Sequence, residues 1–183
     1  MFRRQGQLDQ PVETFAIRAM QYIPRLRRYA RALTGDNSAA EDLVQDALER
    51  ALIKQSLWRE GTDLRAWLFT VMHNIFINQV RSAAANRLVS IDEVDAGAVV
   101  DKTPLQATDR LEIRDLDAAL QALPEEQRAV VLLVGLEQMT YEEAARVLDV
   151  PVGTVMSRLS RGRERLRILL HRAPGSSPLK VVK

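Results

Sequence analysis

The side chains best able to recognise another molecule fall into three sets, and none of them is built for making or breaking bonds. In the first, Ser157, Arg158, Arg161 and Arg165 share one side of a helical stretch whose other side carries Val152, Val155, Leu159, Leu166 and Leu170. Arginine is a fixed cation whose planar fork of donors suits phosphate oxygens and the O6/N7 edge of guanine, so this face is a candidate for the major groove of duplex DNA. The same pattern also fits a solvated, charged helix end. In the second, Asn74, Asn78 and Arg81 recur at helical spacing, and Ser82 to Arg87 continue the segment. Asparagine inside a helix loses propensity without a packing reward, which suits amides that bond to the edges of unpaired bases. Two exposed asparagines with no role are the plain alternative. In the third, Asp42, Gln45, Asp46 and Glu49 form an acidic stripe, and like charges on neighbouring turns repel. A basic partner surface, or simply solvent, would account for it.

The elements that carry these sets are also legible. Thr140-Tyr-Glu-Glu143 has the form of a capping box, opening a short helix to Leu148. Asp149-Val150-Pro151 makes a turn, because proline cannot continue the first helix but can open a second. Helix, tight turn and arginine-faced helix make a helix-turn-helix. Ser38-Ala-Ala-Glu41 predicts a second capping box, followed by the core stripe Ala40, Leu43, Val44, Ala47, Leu48, Ala51 and Leu52 opposite the acidic one. Thr62 or Asp63 can cap a helix to about Arg81, with Leu64, Leu68, Val71 and Ile75 inward. Pro24 starts a helix whose Leu26, Tyr29, Ala30 and Leu33 are apolar and whose Arg25, Arg27, Arg28 and Arg31 are basic, and Gly35 ends it. That basic cluster suits a phosphate or a partner as well as it suits solvent. Leu111, Leu116, Leu120 and Leu123 share a further helix, and Pro124-Glu-Glu126 starts the next, with Ala129, Val130, Leu132, Leu133 and Leu136 facing the core.

Composition narrows the class. The chain has 183 residues, 46% apolar, with 26 Lys and Arg against 24 Asp and Glu. The net charge of +2 conceals segregation: 13 bases meet 9 acids over 1–87, 1 meets 4 over 88–108, 4 meet 10 over 109–149, and 8 meet 1 over 150–183. Two basic blocks separated by acidic ones suit two contacts with a polyanion. The absence of cysteine excludes a disulfide framework and thiolate metal sites, which fits a reducing cytoplasm. With two histidines in the whole chain, no metal and no cofactor is expected. No apolar run suggests a membrane span or a signal peptide, so no membrane insertion is expected. Nor does the sequence contain an acid, base and nucleophile cluster or a phosphate-cradling glycine loop, so an enzyme is not expected. The fold class expected is all-α, with two small helical domains joined by a flexible linker, the second a four-helix domain with the helix-turn-helix. Their limits are read as 11–87, an acidic linker at 88–108 that contains Gly97 and Pro104, and 109–172.

Taken in order, Ala40-Glu-Asp-Leu-Val-Gln-Asp46, Arg65-Ala-Trp-Leu-Phe69, Leu123-Pro-Glu-Glu-Gln-Arg128, Thr140-Tyr-Glu-Glu-Ala-Ala145 and Pro151-Val-Gly-Thr-Val-Met-Ser-Arg-Leu159 resemble the extracytoplasmic-function sigma factors of bacteria, over about residues 15 to 170. Pro24-Arg-Leu-Arg-Arg-Tyr29 and Leu57-Trp-Arg-Glu-Gly61 resemble the general-stress members of that family. The resemblance implies two promoter-binding domains carried by RNA polymerase core, which they contact at the clamp helices of the largest subunit and at the flap. Asp42, Gln45, Asp46 and Glu49 match the clamp contact. Asn74 matches a position that captures a flipped-out base of the minus-10 element, and Asn78, Arg81 and Arg87 lie around the adjoining specificity loop. In the minus-35 reader, Ser157, Arg158 and Arg161 come nearest the bases, with Thr154, Arg163 and Arg165 on phosphates. Met156 and Ser160 depart from the pattern of many relatives, which touches the sequence read and not DNA binding. Trp67 matches a family tryptophan that suits core packing or strand separation, and the acidic linker resembles a segment that threads the polymerase toward its RNA exit path. An anti-sigma factor is the further partner implied. A helix-turn-helix regulator acting without core polymerase would leave the acidic stripe and the asparagine face without a purpose, and a sigma mimic that titrates an anti-sigma factor would not need the arginine helix.

Overall fold

In the computed structural model the described residues are 10–59, 61–89 and 107–172, and every element among them is helical. The first domain comprises α1 (Gln10–Met20), α2 (Ile23–Thr34), α3 (Asn37–Ile53) and α4 (Leu64–Val89), with a short 3-10 turn at Gln55–Leu57. The second comprises α5 (Ala107–Gln121), α6 (Glu125–Val131), α7 (Tyr141–Leu148) and α8 (Val152–Arg172), with a π-helical turn, Leu132–Leu136, continuing α6. The expected all-α architecture with a four-helix second domain is the one found.

Pro24 sits in the first turn of α2, where its missing N–H leaves no hydrogen bond unmade, and Gly35 ends the helix in the left-handed region at φ +74°. A side chain at Gly35 would also collide with Gln121 of the second domain. Where Ser38 is expected to cap α3, Asp36 does so instead: its backbone is extended and its carboxylate accepts from the Ala39 amide at 2.7 Å. The helix therefore begins before Ser38. Glu41, freed from capping, pairs with Arg27 at 2.8 Å and Arg31 at 3.4 Å. Asp63 caps the start of α4 by accepting from the Ala66 amide at 3.2 Å. Pro124 precedes α6 as its N-cap and does not occupy the first helical position, so Glu125 and Glu126 form the first turn.

The core of the first domain joins Leu26, Tyr29 and Leu33 of α2 to Leu43, Val44 and Ala47 of α3 and to Leu68, Phe69 and Met72 of α4. Tyr29 and Phe69 meet edge to face with ring centroids 5.2 Å apart, and half-buried Trp67 meets Phe15 edge-on at 5.9 Å, giving Trp67 a packing role. Leu52 lies outside this core and is exposed although its neighbour Ala51 is buried, and Leu116 is likewise exposed on α5. In the second domain Leu120, Leu123, Ala129, Val130, Leu133, Val147, Val155 and Leu159 are buried together. Each large side chain so placed contributes about 1.5–3 kcal/mol.

The sequence reading gives two domains and a linker with no arrangement between them, and in the structure the two are docked. One buried cluster runs through both. Helix α2 packs on α5 and the π turn, and α4 packs on α7. Gln121 Nε2 donates to the Ala32 carbonyl at 3.0 Å, and the buried Arg128 Nη1 donates to the Leu33 carbonyl at 2.6 Å. These bonds satisfy two of the last carbonyls of α2, which have no partner within their own helix.

Candidate nucleic-acid interface

The helix-turn-helix forms as its residues dictate. The Glu143 amide donates to Thr140 Oγ1 at 3.2 Å while the Thr140 amide donates to Glu143 Oε2 at 2.8 Å, completing the capping box of α7. Asp149 takes the left-handed conformation at φ 52° and ends α7, and Pro151 leads directly into α8. Helix α8 is seated on α6 by Val155 and Leu159 and by Gly162, where an added Cβ would lie 2.8 Å from Val131 Cγ2.

On α8, Arg161, Arg163 and Arg165 are exposed, whereas Thr154 and Ser157 are half-buried and Ser157 Oγ donates to the Thr154 carbonyl at 3.0 Å. Arg158 does not point outward as its helical position suggests. It turns back to Glu126 of α6, with Nη2 and Oε2 2.6 Å apart and 23% of its side chain exposed. On α4, Asn74, Asn78 and Arg81 are exposed, and the side chain of Arg87 lies outside the described residues, as does the acidic linker segment 90–106. On α3, Asp42, Gln45, Asp46 and Glu49 are all exposed along one face. Gln45 Nε2 donates to Glu49 Oε1 at 3.0 Å and Gln79 Nε2 of α4 donates to Asp46 Oδ2 at 3.2 Å, so a neutral amide rather than a cation relieves the crowded carboxylates.

A single cleft of about 580 Å³ brings two of the three sets together: Asn74, Asn78 and Arg81 line it from α4, and Arg158 and Glu126 line it from the second domain. The acidic stripe takes no part in it. His73 lies at its wall with Nδ1 buried and unpartnered, and burial, reinforced by the nearby Arg158 charge, lowers its pKa to about 4. Its imidazole is therefore neutral at pH 7. Among the described residues no three His, Cys, Asp or Glu side chains converge on a metal position, and no helix is long and apolar enough to cross a membrane.

One residue that organises this region, Glu137, is not singled out by sequence patterns. Glu137 is fully buried and receives Arg25 Nε and Arg28 Nη2, each at 2.8 Å, while Arg65 Nη2 donates to Glu143 Oε1 at 3.1 Å. Arg128 is buried and donates to the Gln121 and Leu123 carbonyls at 2.9 and 3.1 Å, and burial lowers its pKa. The available signal was a lone charge, Glu137, directly after the apolar run Ala129 to Leu136. A buried carboxylate requires paired cations.

The family description "Sigma2 domain of PhyR" matches residues 20–73, and "Sigma-70, region 4" matches residues 113–166. The chain is 38% identical over 150 residues to the ECF RNA polymerase sigma factor EcfG of Rhodopseudomonas palustris, covering 81% of each. It is also 38% identical over 149 residues to the ECF RNA polymerase sigma factor SigL of Mycobacterium tuberculosis, covering 79% of this chain and 82% of that one. Among solved structures, the sigma factor RpoE of Bartonella quintana, in complex with the anti-sigma factor NepR, superposes with a TM-score of 0.73 at 34% identity, over 88% of this chain and 99% of that one. Region 4 coincides with the helix-turn-helix and the sigma2 match with the helices beneath the acidic stripe, and on these grounds the chain belongs to the ECF RNA polymerase sigma factors.

Proposed function

We propose that this sigma factor binds core polymerase through Asp42, Gln45, Asp46 and Glu49 at the clamp helices and through its second domain at the flap, and carries it to promoters. Asn74, Asn78, Arg81 and Arg87 take the minus-10 element as an opened strand. Thr154, Ser157, Arg158, Arg161, Arg163 and Arg165 take the minus-35 element as duplex. The corresponding limits are 11–87 for the first domain, 88–108 for the linker and 109–172 for the second. Melting then needs no bond-making step by the chain: capturing an extruded base offsets its unstacking, worth a few kcal/mol. Work of this kind is done in the cytoplasm, with an anti-sigma factor as the restraining partner.

The observation that carries this reading is the capped helix-turn-helix with Arg161, Arg163 and Arg165 exposed on its second helix. Run-off transcription with purified core polymerase and a genomic promoter library tests it. Transcripts starting at a defined set of promoters only when the protein is added are expected, and no specific starts in the absence of any inhibitor would refute it. One observation favours a second reading, a mimic that titrates an anti-sigma factor: the first domain matches a family description drawn from PhyR. A mimic would bind an anti-sigma factor and yield no transcripts in that assay.

A further inference from the structure

Three arginines of the first domain, Arg25 and Arg28 on α2 and Arg65 on α4, converge on one edge of the second. Besides the two contacts to the Glu137 carboxylate, Arg25 Nη2 donates to the Glu137 carbonyl at 3.0 Å, Arg28 Nη2 to the Leu136 carbonyl at 3.3 Å and Arg65 Nη1 to the Glu137 carbonyl at 3.5 Å. Glu137 stands at the end of the π turn, where its amide reaches back to the Leu132 carbonyl, and Gln138 follows at φ 55°. Both departures from helical geometry aim Glu137 across the domain boundary. Glu143, already committed to capping α7, takes Arg65 with its second oxygen. The basic cluster of α2 thus faces a carboxylate of its own chain.

We propose that this arginine cage around Glu137 is a latch that holds the free sigma factor closed, with Asn74, Asn78 and Arg81 of one reading set and Arg158 of the other turned into one cleft, and that productive partners must release it. The inference rests on reading α4 and α8 as the DNA-contacting helices. Arg158 in the closed form is held by Glu126, whereas reading a base requires it in a groove. A major groove about 12 Å wide takes in a whole helix, and a cleft of 580 Å³ has the size of a small-ligand pocket. The closed form therefore cannot offer Arg158 and the asparagine face of α4 to a promoter together. A buried carboxylate held by half-exposed guanidinium groups suits a switch, because rehydration of the charges on opening largely offsets the lost attraction. A partner that binds only the open form can then shift the closed arrangement.

The chain has no cysteine, so Ser38→Cys in α3 and Arg146→Cys in α7, both at exposed positions, give two unique spin-label sites in the full chain. Pulsed electron resonance should show one narrow distance for the parent. Glu137→Gln, and separately Arg25→Gln with Arg28→Gln, should move most of the population to longer, broader distances with helicity by circular dichroism unchanged. If Glu137→Gln loses helicity, the arginine pair decides, since both side chains are more than one-third exposed and no core depends on them. Retention of the parent's narrow distance in the arginine pair variant overturns the latch. Anisotropy with a duplex selected in the run-off assay separates the two ideas. If the open form is about a tenth of the parent population, unlatching should tighten binding about tenfold. Longer distances with no gain in duplex binding support the latch and count against the DNA reading.

Discussion

Arg158 is the residue with the most at stake in the second domain, because the same guanidinium that would grip a guanine edge is paired with Glu126 in the free chain. Arg158→Ala should relax selectivity at one minus-35 base pair and weaken binding there by about 1–3 kcal/mol, measured by competition between promoter variants. Equal loss on scrambled sequences would reduce Arg158 to a phosphate contact. His73 makes a different expectation. Its folded pKa of about 4 lies below the ordinary 6.5, so the neutral ring contributes stability that is fully present above pH 6.5 and lost as pH falls toward 4. Between pH 6.5 and 5 that loss approaches about 2 kcal/mol, at 1.36 kcal/mol per pH unit. Urea melts across this window should flatten in His73→Gln, and an unchanged slope in that variant would remove the assignment. The exposed faces of Asn74, Asn78, Arg161 and Arg165 were legible as sequence because helical pitch alone fixes which side a residue occupies. The inward turn of Arg158 was not, since its ion-pair partner is 32 positions away on another helix, and no local pattern encodes such a pairing.

Among the elements, α3 keeps its acidic side open to a partner in the folded chain. Asp46→Arg should abolish capture by polymerase core while circular dichroism stays unchanged, because Asp46 is exposed and its hydrogen bond from Gln79 is a surface one. Undiminished holoenzyme assembly in that variant would move the docking face elsewhere. The start of α7 was readable because a capping box is a contract between four consecutive residues, and both of its bonds form. The start of α3 differs from its sequence pattern for a related reason. Asp36 and Ser38 both accept amides well, and what favours Asp36 is an extended backbone set by Gly35 and braced by Thr34, whose hydroxyl donates to the Asp36 carbonyl at 3.0 Å. Pitch likewise extends the core stripe to Leu52, but Ala51 takes the buried place in that turn and Leu52 falls at the exposed margin.

For the molecule as a whole, the two-domain, all-helical plan follows from periodicity and from the acidic interruption between the halves. The docking does not, because the contacts that make it join residues as far as 112 positions apart. Long-range pairing of carboxylate to guanidinium leaves no periodic trace, only charges in unexpected company: Glu137 directly after an apolar run and Arg25 and Arg28 beside core positions. Charge segregation along the chain thus reports two things at once, a surface for a polyanion and a seam between the chain's own halves.

Both sides of that seam belong to one polypeptide, so they meet at a concentration fixed by their tether. Diluting the protein, or making fewer copies of it per cell, leaves the proportion of closed molecules untouched. A dimeric regulator loses its self-association as its abundance falls, whereas this one keeps its restraint at any expression level, and only a ligand that discriminates between the two shapes can lift it.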